Sequence, residues 1–330
     1  MPAIAVRYDL RRAPFSPQTH AELYRACLDQ CSWIEEHRAA DIAVLSEHHG
    51  VDDGFCPSPF TLAAAIGART TLLPVTIAAA LLPLHDPVRF AEQAIVADLV
   101  TGGRVSFVVG IGYRDEEFAM AGVERKERVP LLEEYVEVVR KAWTGEPFEW
   151  RGRSIRVTPQ PVSPQPPMLI GGGVEAAARR AARLRLPFLS SINDPALAVA
   201  YNDEAAAVGY EGGYCLLPDT SGFLYVTEDP DETWNQIARY AWYDADTYRS
   251  WQTAGTRSEV KTSAADVDAL REEGMYRVLT PEHAIELVEG LAPTATVTLH
   301  PLICGIPLDV SWRSLELFRD HVLPRLRPQA

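Results

Sequence analysis

The sequence predicts an α/β fold of alternating strands and helices, a (β/α)8 TIM barrel with insertions at its carboxyl rim. Three observations carry this expectation. Short apolar runs alternate with amphipathic stretches to make eight strand–helix units in 330 residues, and such alternation implies a parallel sheet covered by helices. The run PVTIAAALL (74–82) is apolar throughout, as expected of a parallel strand buried on both faces. No composition break, linker or edge-strand pattern divides the chain. One domain over residues 1–330, closed rather than open and doubly wound, is therefore expected.

The elements follow in order. Strand Ile4–Tyr8 comes first. Thr19 and Glu22 stand in capping-box spacing ahead of a helix whose apolar positions Leu23, Cys27, Leu28, Cys31 and Ile34 recur at helical period. A strand at Ile42–Glu47 comes next. Ser58 and Pro59 supply an N-cap and a first-turn proline for the helix carrying Leu62, Ala65 and Ile66. After strand Pro74–Leu82, Asp86 and Pro87 start a helix through Phe90, Ala94, Ile95 and Leu99 that stops at Gly102–Gly103. Strand Arg104–Gly112 leads to helices at Asp115–Ala121 and Val129–Trp143, a hairpin-like FEWRGRSIRV and the Pro-rich connector VTPQPVSPQPPM. Strand Met168–Ile170 runs through Gly171, Gly172 and Gly173 into helix Glu175–Leu184. Strand Phe188–Ser191, helix Ala196–Val208, strand Gly222–Thr227 and a helix over Asp231–Tyr248 follow. The stretch Trp251–Gly274 is polar and aperiodic. Thr280–Pro281 open a helix, Thr296–Ile303 makes the eighth strand, and Ser311–Leu326 closes as a helix.

Composition narrows the function classes. Lys+Arg of 31 against Asp+Glu of 45 gives a net charge of −14, which repels phosphate backbones and anionic lipid, so no nucleic-acid or membrane partner is expected. The amino-terminal MPAIAVRYDLRRAP lacks an apolar stretch of signal-peptide length, and no window approaches the roughly 20 apolar residues of a membrane helix. A cytoplasmic protein is expected. The five cysteines are scattered and odd in number, which suits free thiols in a reducing compartment. Cys27 and Cys31 share a helical stripe with Leu23 and Ile34 and read as core.

In a barrel the strand exits share one rim, where active sites lie. That rim would hold Asp9, Glu47–His49, Leu82–His85, Gly110–Tyr113, Gly171–Gly173, Ser190–Asn193 and Cys304–Gly305. The segment DIAVLSEHHG ends an apolar run in Glu47, His48 and His49, and buried polar groups must be paired. Imidazole suits general acid/base work near neutral pH. A metal reading is disfavoured: neighbouring His48 and His49 would point to opposite faces of a strand, and the other histidines form no HxH or HxxxH pair. Gly110, Ile111, Gly112 and Tyr113 admit either close approach of a flat ligand or tight packing, but they are no dinucleotide fingerprint. Gly171, Gly172 and Gly173 read either as a plain turn or as an anion-binding loop at a helix N-terminus. No Walker lysine follows, which disfavours nucleoside triphosphate hydrolysis.

At these residues the chain resembles the luciferase-like family of flavin- or deazaflavin-dependent oxidoreductases. The likeness lies in SEHHG, in TIAAALLPLHDPVRFAEQAIVADLVTGGRVSFVVGIGYRDEEF, in the IGGG exit, and in LTPEHAIELVEG and LHPLICGIP. It implies a (β/α)8 barrel and a set of roles. His48 would be the imidazole beside the reactive flavin edge, supported by Glu47 and His49. Ala78 and Ala79 would form a non-prolyl cis peptide behind the ring. Gly110 and Gly112, with Tyr113, would let the ring lie flat, while Arg128 and Gly171–Gly173 would meet the cofactor phosphate. Ile111 departs from relatives that carry arginine there. Trp251–Gly274 falls where relatives place a mobile lid, and Trp251 could touch substrate.

The resulting expectation is a monooxygenase that uses reduced FMN and O2 on a small organic substrate. A separate flavin reductase would supply the FMN, because no second nucleotide domain is read. The runner-up is a coenzyme F420-dependent hydride-transfer enzyme. A metal-dependent barrel hydrolase and a non-catalytic flavin-binding protein are further alternatives, and a homodimer is expected.

Overall fold

Strands joined through a helix must run parallel, whereas strands joined by a tight turn pair antiparallel. Both rules hold here. In the computed structural model, which describes residues 1–252, 257–258 and 260–327, the strands are β1 (Ala3–Tyr8), β2 (Ile42–Leu45), β3 (Val75–Ala80), β4 (Val105–Val109), β5 (Phe148–Trp150), β6 (Arg153–Ile155), β7 (Met168–Gly172), β8 (Phe188–Ser190), β9 (Cys215–Leu216), β10 (Thr220–Val226), β11 (Tyr276–Leu279) and β12 (Thr296–Leu299). Contacts divide the chain into two units. One comprises Met1–Val44, Val51–Cys56 and Pro218–Ala330; the other comprises Leu45–Gly50 and Pro57–Leu217.

In the first unit the strand order is β11–β10–β12–β1–β2. Ala3 faces Thr296 and Phe223 faces Tyr276, all in parallel register. Strand β11 is a correction to the expected eight, as is the two-residue β9. YRVL buries only Tyr276 and Val278 and stands at the end of a polar stretch, so its alternation is too short to register alone. The core of this unit gathers Phe223, Tyr225, Trp234, Ile237, Tyr240, Tyr276 and Ile303.

The second unit orders its strands β3–β4–β7–β8–β9, with β5 and β6 as the expected antiparallel hairpin. Val75 faces Val105 and Ile77 faces Phe107, and the register then shifts between Ala78 and Ala80. Phe60, Phe90 and Phe107 meet edge to face at 4.9–5.7 Å, an arrangement worth about 1 kcal/mol per pair beyond burial. Gly67 is required where helix Pro59–Arg69 crosses helix Pro87–Thr101, because a Cβ there would lie 2.6 Å from Thr101 Cγ2.

Helix starts follow local chemistry. Thr19 and Glu22 form the complete capping box. Helices Pro87–Thr101, Pro195–Ala207, Pro230–Trp251 and Pro281–Glu289 each open with proline behind a capping Asp or Thr whose side chain accepts a backbone N–H. Each such cap contributes about 1 kcal/mol. Ser58 precedes Pro59 in the same pattern but makes no cap bond; its hydroxyl pairs with Thr61 at 2.8 Å instead. The carboxyl-terminal helix begins at Leu308 rather than Ser311 and passes through a π-turn at Phe318–Val322. Within Trp251–Gly274, Trp251 ends one helix and Val267–Glu273 forms another, while residues 253–256 and 259 of the expected lid lie outside the described residues. Among the described residues no helix is long and apolar enough to cross a membrane.

Candidate active site

The SEHHG segment, Ser46–Gly50, sits wholly in the second unit, with β3, β4 and β7. The chain leaves strand geometry after Leu45, two residues earlier than expected, so Ser46–His49 is free to distribute its side chains. Glu47 is 2% exposed. Its Oε2 accepts the backbone N–H of Leu81 at 2.8 Å, just past β3. Its Oε1 meets two imidazoles, His49 Nε2 at 2.7 Å and His85 Nε2 at 2.6 Å. Burial alone would push the Glu47 carboxyl up, but hydrogen bonds from His49 and His85 and their charge outweigh it and hold it down to about 2. The hydrogen bond to Glu47 raises His49 in turn.

His48 belongs to a separate chain of contacts. Its Nδ1 lies 2.8 Å from Glu117 Oε1, and its Nε2 lies 3.3 Å from the Tyr113 hydroxyl. The same Glu117 oxygen accepts the His49 backbone N–H at 2.9 Å. Arg114 Nη1 stands 3.6 Å from it and donates to the His49 carbonyl at 2.9 Å. Glu117 and His48 are 1% and 7% exposed. Glu47 pairs with His49, and His48 turns to a carboxylate 69 positions away.

Glu117 was missed because DEEF at a helix start reads as ordinary complement to the helix dipole, and nothing local separates Glu117 from Glu116. His85 lies on the expected rim, and its sequence neighbourhood carries no signal of its bond to Glu47. Together Glu47, His49 and His85 bring three potential ligand atoms within 4.8 Å of one another, a set that could hold a metal ion. Pair-spacing motifs cannot register a group assembled from two loops.

The other expected residues fall into two places. The Ala78–Ala79 peptide is cis, at the register shift of β3. A Cβ on Gly110 would come within 3.2 Å of the Ala79 Cβ, a tight contact, and Gly112 takes a left-handed φ of 71° beside Phe118, which favours glycine. Gly171 and Gly172 are strand residues, not loop. They pair with Leu189 and Ser190, and Cβ atoms there would meet Val108 and Ala177 at 2.9 and 2.7 Å. Only Gly173 lies in the turn before helix Glu175–Arg183, whose N-cap Val174 offers no side-chain bond.

Arg128 opens helix Arg128–Trp143. Burial pushes its guanidinium down, and repulsion from Arg125 and Arg180 pushes it further. The Nε atoms of Arg125 and Arg128 are buried without a hydrogen-bond partner. Arg125 and Arg180 each face a carboxylate, Asp115 at 2.7 Å and Glu133 at 3.1 Å, so the positive charge left to favour an anion is that of Arg128. Trp251, a candidate for substrate contact, packs against Phe55 and Tyr248 within the first unit.

Comparison with known proteins bears on this arrangement. F420-dependent glucose-6-phosphate dehydrogenase of Nocardia farcinica is 28% identical over 329 residues, covering 88% of this chain and 94% of that protein. The monooxygenase RslO1 from Streptomyces bottropensis superposes with a TM-score of 0.79 at 21% identity, over 98% of this chain and 99% of the other. The oxygenating constituent of 3,6-diketocamphane monooxygenase from Pseudomonas putida, solved with FMN, gives 0.74 at 18% identity over 98% of each chain. The two structural likenesses establish the fold, that of the luciferase-like TIM barrels. Since the luciferase-like monooxygenase family matches residues 15–295, the chain belongs to that family of oxidoreductases.

Proposed function

We propose that this protein is a flavin-dependent monooxygenase acting on a small organic substrate with reduced FMN and O2. The observation that carries the reading is that a buried imidazole held by a carboxylate occurs in the same unit as Arg128, whose buried Nε has no hydrogen-bond partner. The first suits proton handling and the second suits a phosphorylated ligand.

The residues present fit such a cofactor. Ala78, Ala79, Gly110 and Gly112 would line its ring, where the backbone comes close without side chains between. Arg128 and Gly173 would meet its phosphate. Reduced flavin supplies the electrons that activate O2, which no side chain here can supply. His48 holds or accepts a proton at Nε2. Glu47 anchors the Leu81 N–H and the two imidazoles of His49 and His85, and so orders the turn after β3. Burial of His48 and Glu47 keeps water from competing for the proton. A cytoplasmic homodimer served by a separate flavin reductase completes the proposal.

The second reading, hydride transfer with F420, is favoured by Ile111 at the position where some flavin-binding relatives carry arginine, and by the Nocardia relative. Fluorescence titration with FMN and with F420, followed by oxygen-consumption assays with chemically reduced FMN, separates the two. Micromolar FMN binding with oxygenated product supports the monooxygenase. Tight F420 binding without FMN binding replaces it with the second reading.

A further inference from the structure

We propose that Glu117 is the positioning residue of His48, committing its proton to Nδ1 and leaving Nε2 as the working nitrogen toward Tyr113. The inference deepens the proposed function and rests on it only for the part that concerns turnover. The two carboxylates of the cluster are occupied differently. Both oxygens of Glu47 are taken, one by the Leu81 N–H and the other by His49 and His85. Glu117 Oε1 holds the ring of His48 and the backbone N–H of His49. One oxygen thereby clamps a side chain and the peptide unit that follows it, which restricts both the rotation of the ring and its tautomer.

A carboxylate accepts but does not donate, so the hydrogen on that 2.8 Å bond belongs to Nδ1. In the neutral ring Nε2 then carries the lone pair. Its neighbour is the Tyr113 hydroxyl, 3.3 Å away. Exposure rises along the chain, from buried Glu117 through His48 to half-buried Tyr113. A proton delivered to Nε2 makes an imidazolium whose Nδ1–H still faces Glu117; its release restores the same tautomer. The carboxylate takes no proton at either step. An orienting carboxylate of this kind makes a histidine a directional acid/base.

The test uses the full chain labelled with 15N-histidine, with the His48 signals assigned by their loss in His48→Asn. Long-range 1H–15N spectra of the wild type are expected to show a protonated Nδ1 and an unprotonated Nε2, and Glu47→Gln should leave that pattern unchanged. Glu117→Leu removes the acceptor and should mix or invert the tautomers, with kcat/KM falling on the order of 100-fold. Glu117→Gln, which keeps an accepting oxygen, should restore the Nδ1–H tautomer. A proton on Nε2 in the wild type overturns the assignment whether or not any variant folds. So does an unchanged tautomer in Glu117→Leu. Absence of FMN- or F420-linked turnover in the wild type counts against the functional reading alone, since the spectra decide the role of Glu117 without it.

Discussion

Each unit buries its own polar cluster, and the two are built from different chemistry. In the first unit Arg11, fully buried, donates from Nε to Asp53 at 2.8 Å and from Nη1 to Asp244, whose other oxygen accepts the Tyr276 hydroxyl at 2.6 Å. Aromatic rings of Phe55, Tyr243, Tyr248 and Trp251 surround the guanidinium at 5.4–5.7 Å. Asp9 accepts the Arg11 backbone N–H, and His300 lies 3.3 Å from its other oxygen. Burial opposes ionisation of Asp9, but His300, Arg11 and Arg7 outweigh it and hold the carboxyl well below the usual range. In the second unit the carboxylates Glu47 and Glu117 face imidazoles instead. Guanidinium keeps its proton across the working pH range, whereas imidazole exchanges one near neutrality. The contrast separates an arginine-centred cluster suited to holding the backbone from a histidine-centred one suited to moving protons.

The largest effect should come from breaking the arginine cluster. Arg11→Met leaves Asp53 and Asp244 buried without their cation, and loss of one partner from a buried network costs about 3–5 kcal/mol. Urea denaturation followed by circular dichroism measures it. A loss below about 1 kcal/mol would show that the cluster does not hold its unit together.

Glu47→Gln should have a smaller and pH-dependent effect. Glu47 is held below its ordinary value near 4.5, to about 2, so its contribution is present above about pH 4.5 and is lost as pH falls toward 2. His49 is raised above its ordinary value near 6.5, so its contribution is present below that pH and fades as pH rises through the raised value. This cluster therefore stabilises most between about pH 4.5 and 6.5. The variant should lose on the order of 2–3 kcal/mol there and show flattened acid and alkaline limbs. Stability profiles against pH for the two proteins provide the check, and parallel profiles would separate Glu47 from both limbs.

The smallest stability change belongs to His48→Asn, within about 1 kcal/mol, because asparagine keeps a polar side chain near Glu117. Its effect should appear in turnover, on the order of 100-fold slower, with cofactor affinity nearly unchanged. Steady-state kinetics beside a cofactor titration measure both, and full activity would remove His48 from proton transfer.

Much of the fold was legible along the chain because its signals are local. Thr19–Glu22, Asp86–Pro87 and Thr280–Pro281 start helices through bonds spanning three residues or fewer, and Gly102 stops one by taking a left-handed φ of 65°. Tyr276–Leu279 was not legible, since four residues gain strand character only by pairing with Phe223–Val226. The site divides the same way. SEHHG could be recognised as a polar strand exit, and Arg128 as a candidate anion ligand. The parting of Glu47 from His48, the arrival of His85 and Glu117, and the strand pairing of Gly171 and Gly172 could not.

The sequence by itself determined the alternation of parallel strands and helices, most of the helix starts and the concentration of chemistry after Leu45, because backbone torsions, caps and apolar period act over a few residues. Only the tertiary structure decided which carboxylate serves which imidazole. Glu117 reaches His48 across 69 positions, His85 reaches Glu47 across 38, and Arg11 reaches Asp244 across 233. Such pairings depend on which strand exits the sheet register brings together, and the residues between them carry no local trace of it.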